Sequence, residues 1–304
     1  MTFRIFTEPR KGVVAHTAAS KRLTHGPMKA WLGFVTEELA PSAVKTVDAL
    51  QKWPGAQEPN QTGFNIANGT EDLFFEEIGK EGRSKRYDEA MNWFNAAPGF
   101  ETDGLVEGIE WGQFETVVDV GGNNGLLCRA LARRYKGVKF VVQDRKEPIE
   151  DGRKRLEKDL RERIVFMEHD FFEVQTVRAD VYLLRWVLHD WSDKYAMRIL
   201  RALIPALKPG ARVVLNEFVL PPPGVAGSYT EKILRLVGFY SLLVHTDDFL
   251  RTMDLSMLEL HNGKERDADD WEKLFRDCDP RFMFLGITRP PMSKLGIIQA
   301  EWKP

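Results

Sequence analysis

From Thr116 onward the chain alternates short β-branched runs with stretches of helical spacing, and that alternation most limits what it can fold into. TVVDV (Thr116–Val120) runs into GGNNG and then a helical Leu126–Tyr135. KFVVQ (Lys139–Gln143), a polar helix Glu147–Leu160, IVFME (Ile164–Glu168), DVYLLRW (Asp180–Trp186), a helix Lys194–Leu207 and RVVLNE (Arg212–Glu217) continue the pattern. Strands separated by helices imply βαβ units and a parallel sheet. RFMFLGI (Arg281–Ile287) and KLGIIQAEW (Lys294–Trp302), joined by a short turn, add an antiparallel edge. The expectation is an α/β, Rossmann-like sheet with a C-terminal edge hairpin. Before it, residues 24–115 read mostly helical, punctuated by Pro54-Gly55, Asn68-Gly69 and Pro98-Gly99. Leu73, Phe74, Ile78, Tyr87, Met91 and Phe94 form an apolar stripe along Glu71–Phe94.

Composition narrows the function classes. The 304 residues carry a formal charge of −2, so no global field draws nucleic acid. The first thirty residues set Arg4, Arg10, Lys11, Lys21, Arg22 and Lys29 against Glu8, a basic start that reads as a solvated hairpin in preference to a nucleic-acid arm. Two cysteines, Cys128 and Cys278, exclude a disulfide scaffold and fit a reducing compartment. The start shows no secretory signal, and the longest apolar stretch, Ile233–Val244, is interrupted by Arg235 and too short to span a bilayer. A cytoplasmic protein with no membrane or nucleic-acid partner is expected.

Gly121–Gly125 sits where a strand turns into a helix, so backbone N–H groups and a helix N-terminus can face a ligand. Asp144 ends the next strand and can accept ribose hydroxyls. The loop is not G-x-G-x-x-G, because Asn123 interrupts it, and Asp119 lies inside the first strand. A carboxylate there would repel a pyrophosphate and suit a sulfonium or ammonium group; a plain strand–helix connection is the alternative. After the third strand, Asp170 can accept from an adenine amino group while Phe171 packs on the ring, or else Asp170 caps a helix before two core phenylalanines. His189 in LLRWVLHDWSD closes the fourth strand and is the candidate general base. Glu217 at the end of the fifth strand and Glu265 in HNGKER can hold an imidazole's tautomer and stabilise its protonated form; solvation and helix capping are the alternatives.

These stretches, VVDVGGNNG, VVQD, HDFFE, LLRWVLHDWSD, LNEFVLPPPG and NGKERDADDWEKLF, resemble in order the plant- and fungus-type small-molecule O-methyltransferases, the caffeate and flavonoid enzyme family. FTEPRKGVVAHTAASKRL resembles that family's winged-helix wing, and NIANGTEDLFFE and YDEAMNWF its substrate-lining helices. The resemblance implies a class I methyltransferase domain over 114–304 and a partial winged-helix, dimerisation and substrate-lining region over 1–113. It implies S-adenosylmethionine held by Gly121, Asp144, Asp170, Phe171, Arg185 and Trp191, with S-adenosylhomocysteine as product. His189 would be the base, bracketed by Glu217 and Glu265; Met91 and Met257 would flank a phenolic or enolic acceptor; no metal is called for. Family members carry helices before the wing, where this chain begins, so part of the homodimer surface is expected to be missing. A relative that binds the same cofactor for a non-methylating reaction, or a non-catalytic paralogue, are the alternatives.

Overall fold

The computed structural model describes residues 5–80, 82–221 and 246–304. The chain forms two compact units, one of residues Met1–Phe100 with Glu259–His261, the other of Glu101–Leu258 with Asn262–Pro304.

The first unit opens with an antiparallel hairpin, β1 (Phe6–Arg10) and β2 (Val13–His16). Helix α1 (Ala18–Leu23) follows behind a capping box, in which Thr17 and Ser20 satisfy each other's backbone N–H groups. Among the described residues α2 (Gly26–Phe34), α3 (Ala40–Val44), α4 (Thr46–Lys52), α5 (Gly63–Asn68), α6 (Phe74–Lys80) and α7 (Arg83–Asn95) follow. A π-helical turn, Val35–Leu39, separates α2 from α3 and carries the buried Glu38, which pairs with Arg83 and Arg86 of α7. The apolar stripe over Glu71–Phe94 lies on two helices, α6 and α7, and Gly82 sits at φ 69° at the start of α7, a left-handed conformation at ease for glycine. Phe34, Phe64, Phe74, Ile78, Ala90 and Leu260 are the centre of this unit's core.

The second unit is built on a seven-stranded sheet. After α8 (Asp103–Gly108) come β3 (Thr116–Val120), α9 (Leu126–Arg134), β4 (Lys139–Asp144), α10 (Lys146–Arg155), β5 (Ile164–Glu168), β6 (Val181–Arg185), α11 (Asp193–Leu203) and β7 (Arg212–Glu217). Then follow α12 (Thr246–His261), α13 (Ala268–Cys278), β8 (Phe282–Thr288) and β9 (Gly296–Trp302). The strand order is β5-β4-β3-β6-β7-β9-β8, with β9 antiparallel to both its neighbours and the other pairings parallel. Strand alternation distributes the core over two faces. Val118, Val120, Tyr182, Leu184, Val213 and Leu215 pack with α11 and α13; Val117, Phe140, Val142, Val181, Leu183 and Val214 pack with α9 and α10. Helices therefore cover both sides of a parallel sheet, as the alternation of runs requires.

The connections from β3 and β6 run to opposite sides of the sheet, so the carboxyl ends of these neighbouring strands flank a topological switch point. No helix among the described residues is long and apolar enough to cross a membrane. The apolar stretch 233–244 lies outside the described residues.

Candidate active site

At the end of β3 the chain turns through Gly121 at φ 73°. A Cβ there would meet Val187 Cγ2 at 2.8 Å, and one on Gly122 would stand 2.6 Å from the Asp119 carboxyl, so neither position accepts a side chain without a shift. Asn123, at φ 50°, takes the left-handed conformation where a glycine would be expected, and its Oδ1 accepts from Asn124 N at 2.7 Å. Gln143 O accepts from Gly121 N at 2.8 Å and from Gly122 N at 3.0 Å.

Asp144 has more to do than sequence indicates. Its Oδ2 accepts from Asn123 N at 2.8 Å and its Oδ1 from Arg145 N at 2.7 Å, so it fastens the loop. Each carboxylate oxygen keeps a second lone pair that a ribose hydroxyl can use. Beneath the loop, Asp119 is buried and accepts from Cys128 Sγ at 3.2 Å. Burial pushes its pKa up to about 6, against the Cys128 hydrogen bond and the charge of Arg185. An acid so weakly compensated favours a cation above it.

On the other side of the strand ends, Asp170 is exposed at the rim and its Oδ1 accepts from Phe172 N at 2.9 Å. Turn formation thus uses one oxygen and leaves the other. Phe171 stands edge-on to Trp191 with ring centroids 5.9 Å apart, and Phe172 at 4.7 Å. Trp191 is buried among these rings and Tyr195, so it supports the aromatic wall from behind. Arg185, at the end of β6, donates through Nε to Asn216 Oδ1 at 3.0 Å. Burial lowers its pKa to about 10, while Asp119 and Glu217 act in the other direction.

His189 follows β6 and is buried. Its Nδ1 lies 2.8 Å from Glu265 Oε1, and its Nε2 3.5 Å from Asp190 Oδ1. Burial alone would lower the imidazole pKa; the carboxylates of Asp190, Glu265 and Glu217 outweigh it and hold the group above its ordinary value. Glu265 meets the ring directly. Glu217 acts differently: its Oε1 accepts from Val187 N and Leu188 N, both at 2.9 Å, so it fixes the backbone turn that delivers His189. Its other oxygen is buried without a hydrogen-bond partner, and burial raises the Glu217 pKa despite the attraction of His189. Met257, buried on α12, accepts from Gly263 N through its carbonyl at 3.2 Å. Met91 lies on α7 among the core residues of the first unit.

Sequence reading passes over two residues beside this cluster. Trp186 takes φ 58°, a costly conformation for a bulky side chain, and its ring centroid lies 5.1 Å from that of His189. Its position one residue after β6 gives no hint of that backbone. Arg266 is fully buried and hydrogen-bonded to the chain on both sides of His189. The only sequence signal for it is adjacency to Glu265. Among the described residues no group of three or more His, Cys, Asp or Glu side chains could hold a metal ion.

Comparison with known proteins shows the family and the fold. An O-methyltransferase domain model matches residues 50–278. The O-methyltransferase AMT9 of Alternaria alternata is 38% identical over 100% of this chain, which covers 68% of that protein. A chlorophenol O-methyltransferase of Trichoderma longibrachiatum is 37% identical over 99% of this chain and 64% of its own length. Among solved structures, an O-methyltransferase from neocarzinostatin biosynthesis, in complex with S-adenosylmethionine and 2-hydroxy-5-methyl naphthoic acid, superposes with a TM-score of 0.75 at 24% identity. That alignment covers 99% of this chain and 82% of the other. A protein described as a pericyclic reaction enzyme superposes with a TM-score of 0.74 at 18% identity, over 100% of this chain and 74% of the other. Likenesses at these identities establish the fold and leave the chemistry to the site.

Proposed function

Because the chain belongs to the S-adenosylmethionine-dependent O-methyltransferase family, we propose that it methylates a hydroxyl of a small aromatic or enolic molecule, with His189 removing the hydroxyl proton. The observation that carries this reading is the buried His189–Glu265 pair, Nδ1 to Oε1 at 2.8 Å, at the carboxyl edge of the sheet and one strand away from the glycine loop.

The cradle fits the family's cofactor. Glycines stand where a Cβ would collide, a carboxylate with spare lone pairs ends β4, and a buried acid lies under the loop. Gly121, Asp144, Asp170, Phe171, Arg185 and the ring of Trp191 behind Phe171 would hold S-adenosylmethionine, with Asp119 favouring its positive charge. When bound, it supplies an electrophilic sulfonium methyl group.

This chain's own residues do the rest. Nε2 of His189 is the nitrogen left to face an acceptor hydroxyl, because Nδ1 is engaged by Glu265. Raised basicity brings the imidazole toward the pKa of a phenol, about 10, so proton transfer between them costs little free energy. Glu265 stabilises the imidazolium that results, and Glu217 keeps the preceding turn rigid. Met257 offers a flexible thioether to a flat acceptor. Positioning supplies most of the remaining acceleration. A homodimer of the family kind belongs to the same reading and is tested by light scattering.

The deciding experiment incubates the protein with methyl-labelled S-adenosylmethionine and a panel of phenols and enols. Label in an ether product, abolished in His189→Ala, is expected. Cofactor binding without transfer to any acceptor would favour the non-methylating reading, and no binding would favour a non-catalytic one.

A further inference from the structure

The five residues that follow α12 close on the His189 segment from several directions. Asn262 turns the chain at φ 56°. Gly263 approaches so closely that a Cβ would fall 2.3 Å from His189 O and 2.6 Å from Asp190 C, both backbone atoms that cannot yield like the tip of a side chain. Lys264 N donates to His189 O at 3.1 Å, and Glu265 Oε1 holds the ring. Arg266 then reaches back, fully buried.

The guanidinium donates from Nη1 to Leu188 O at 2.9 Å and to Lys264 O at 3.3 Å. From Nη2 it donates to Trp191 O at 2.9 Å, and from Nε to Asp193 Oδ1 at 2.9 Å. Its face lies 5.0 Å from the Trp271 ring. Leu188 and Trp191 are the residues one before and two after His189. The backbone carbonyl of Arg266 accepts from Leu220 N at 3.0 Å, which ties in the segment leaving Glu217 as well. Three carriers, those of the imidazole, of its ring partner and of the turn-holding glutamate, thus meet at one residue. A buried cation is costly unless its donors are satisfied, and an ordinary structural anchor could have found that satisfaction anywhere in the unit. Here it finds it on the two carbonyls that bracket His189.

We propose that Arg266, with Gly263 as its close-packed counterpart, is the positioning residue that sets the register of the His189 imidazole against Glu265. It touches neither reacting atom and acts through the backbone on either side of the ring. Arginine is required because its planar fork spans carbonyls that a point-like ammonium reaches one at a time. The inference rests on the reading of His189 as the base, and its test separates the two.

Arg266→Met is expected to lower kcat about 10- to 100-fold while the affinity for S-adenosylmethionine stays within about threefold. Arg266→Lys should recover part of the loss. The reading that a merely structural role would not move is the titration of the His189 ring, followed by NMR in the folded variant. Asp190, Glu265 and Glu217 are the charges that raise its pKa, and loosening the ring from Glu265 should shift the midpoint downward. Should Arg266→Met fail to fold, Asp193→Asn, at a half-exposed side chain, removes the anion that fixes the fork and should give the same two changes in smaller measure. Gly263→Ala should give them from the opposite side. A folded Arg266→Met or Asp193→Asn with wild-type kcat and a wild-type ring titration overturns the proposal. Full turnover in His189→Ala would remove the base assignment instead, and the ring titration of the Arg266 variant would still read the positioning.

Discussion

The glycine loop and the His189 segment leave neighbouring strands of one sheet, β3 and β6, yet they are held in place by different means. Groups close in sequence fasten the loop: Asp144 to Asn123 across 21 positions, and Gln143 O to Gly121 and Gly122. Distant groups fasten the His189 segment: Glu217 at 29 and 30 positions from the turn it caps, Glu265 at 76, and Arg266 at 75 and 78. These bonds of the loop need only the pairing of β3 with β4. The placement of His189 needs β7 and the chain after α12 as well. Cofactor binding and proton removal should therefore respond to different substitutions.

The largest separation of the two is expected from His189→Ala. Losing a general base costs roughly two to four orders of magnitude in turnover, while calorimetry should find S-adenosylmethionine affinity close to wild type. An equal fall in affinity would merge the two regions into one. Asp144→Ala should act on the other side. It removes the charged acceptor that holds Asn123 N and would hold the ribose, an effect of about 1.5–3 kcal/mol, or roughly 10- to 150-fold in Kd. If turnover at saturating cofactor fell as far as affinity, Asp144 would be shaping more than its own loop.

The same contrast explains what could be read from the sequence. TVVDV, IVFME and RVVLNE are strands with the expected bounds, because a β-branched run between turn signals is a local property. The glycine loop was legible for the same reason. The left-handed backbone of Gly82 ahead of α7 was not, since the apolar stripe runs past it unmarked. In the His189 segment, His189 and Glu265 were nameable from their motifs, but the separate duty of Glu217 was not. Whether a carboxylate meets an imidazole or two backbone N–H groups depends on how β6 and β7 register, and that pairing is non-local. Arg266 was hidden more deeply. An arginine in a loop reads as solvated until three chain segments converge to bury it.

A smaller effect should come from Glu265→Gln, which keeps the hydrogen bond to the ring and removes the charge. With that carboxylate present, the folded imidazole holds its proton to a pH above its ordinary value, so the active, unprotonated fraction increases only as pH climbs through that raised pKa. Neutralising Glu265 lowers the raised pKa, and the ascending limb of kcat/KM should move to lower pH. The variant would then be impaired more at alkaline pH than near neutrality, by about tenfold for each pKa unit lost in driving force to the imidazolium. A limb that stays put in Glu265→Gln belongs to the acceptor hydroxyl and not to the base.

The smallest effect is expected within the loop, from Asn123→Gly. Asn123 sits at φ 50°, where glycine is at ease and asparagine tolerated, so the substitution relieves a strain of at most about 1–2 kcal/mol. Against this it loses the bond from Asn124 N to Asn123 Oδ1, about 1 kcal/mol, and gains unfolded-state freedom of similar size. The opposing contributions nearly cancel, and cofactor affinity and melting temperature should barely change. Asn123→Ala keeps the strain and loses the bond, so it should be the more damaging of the two. If Asn123→Gly instead weakened S-adenosylmethionine more than tenfold while Asn123→Ala did no worse, the carboxamide would be a ligand contact. The loop would then depend on a side chain and resemble the His189 segment more than its local backbone geometry suggests.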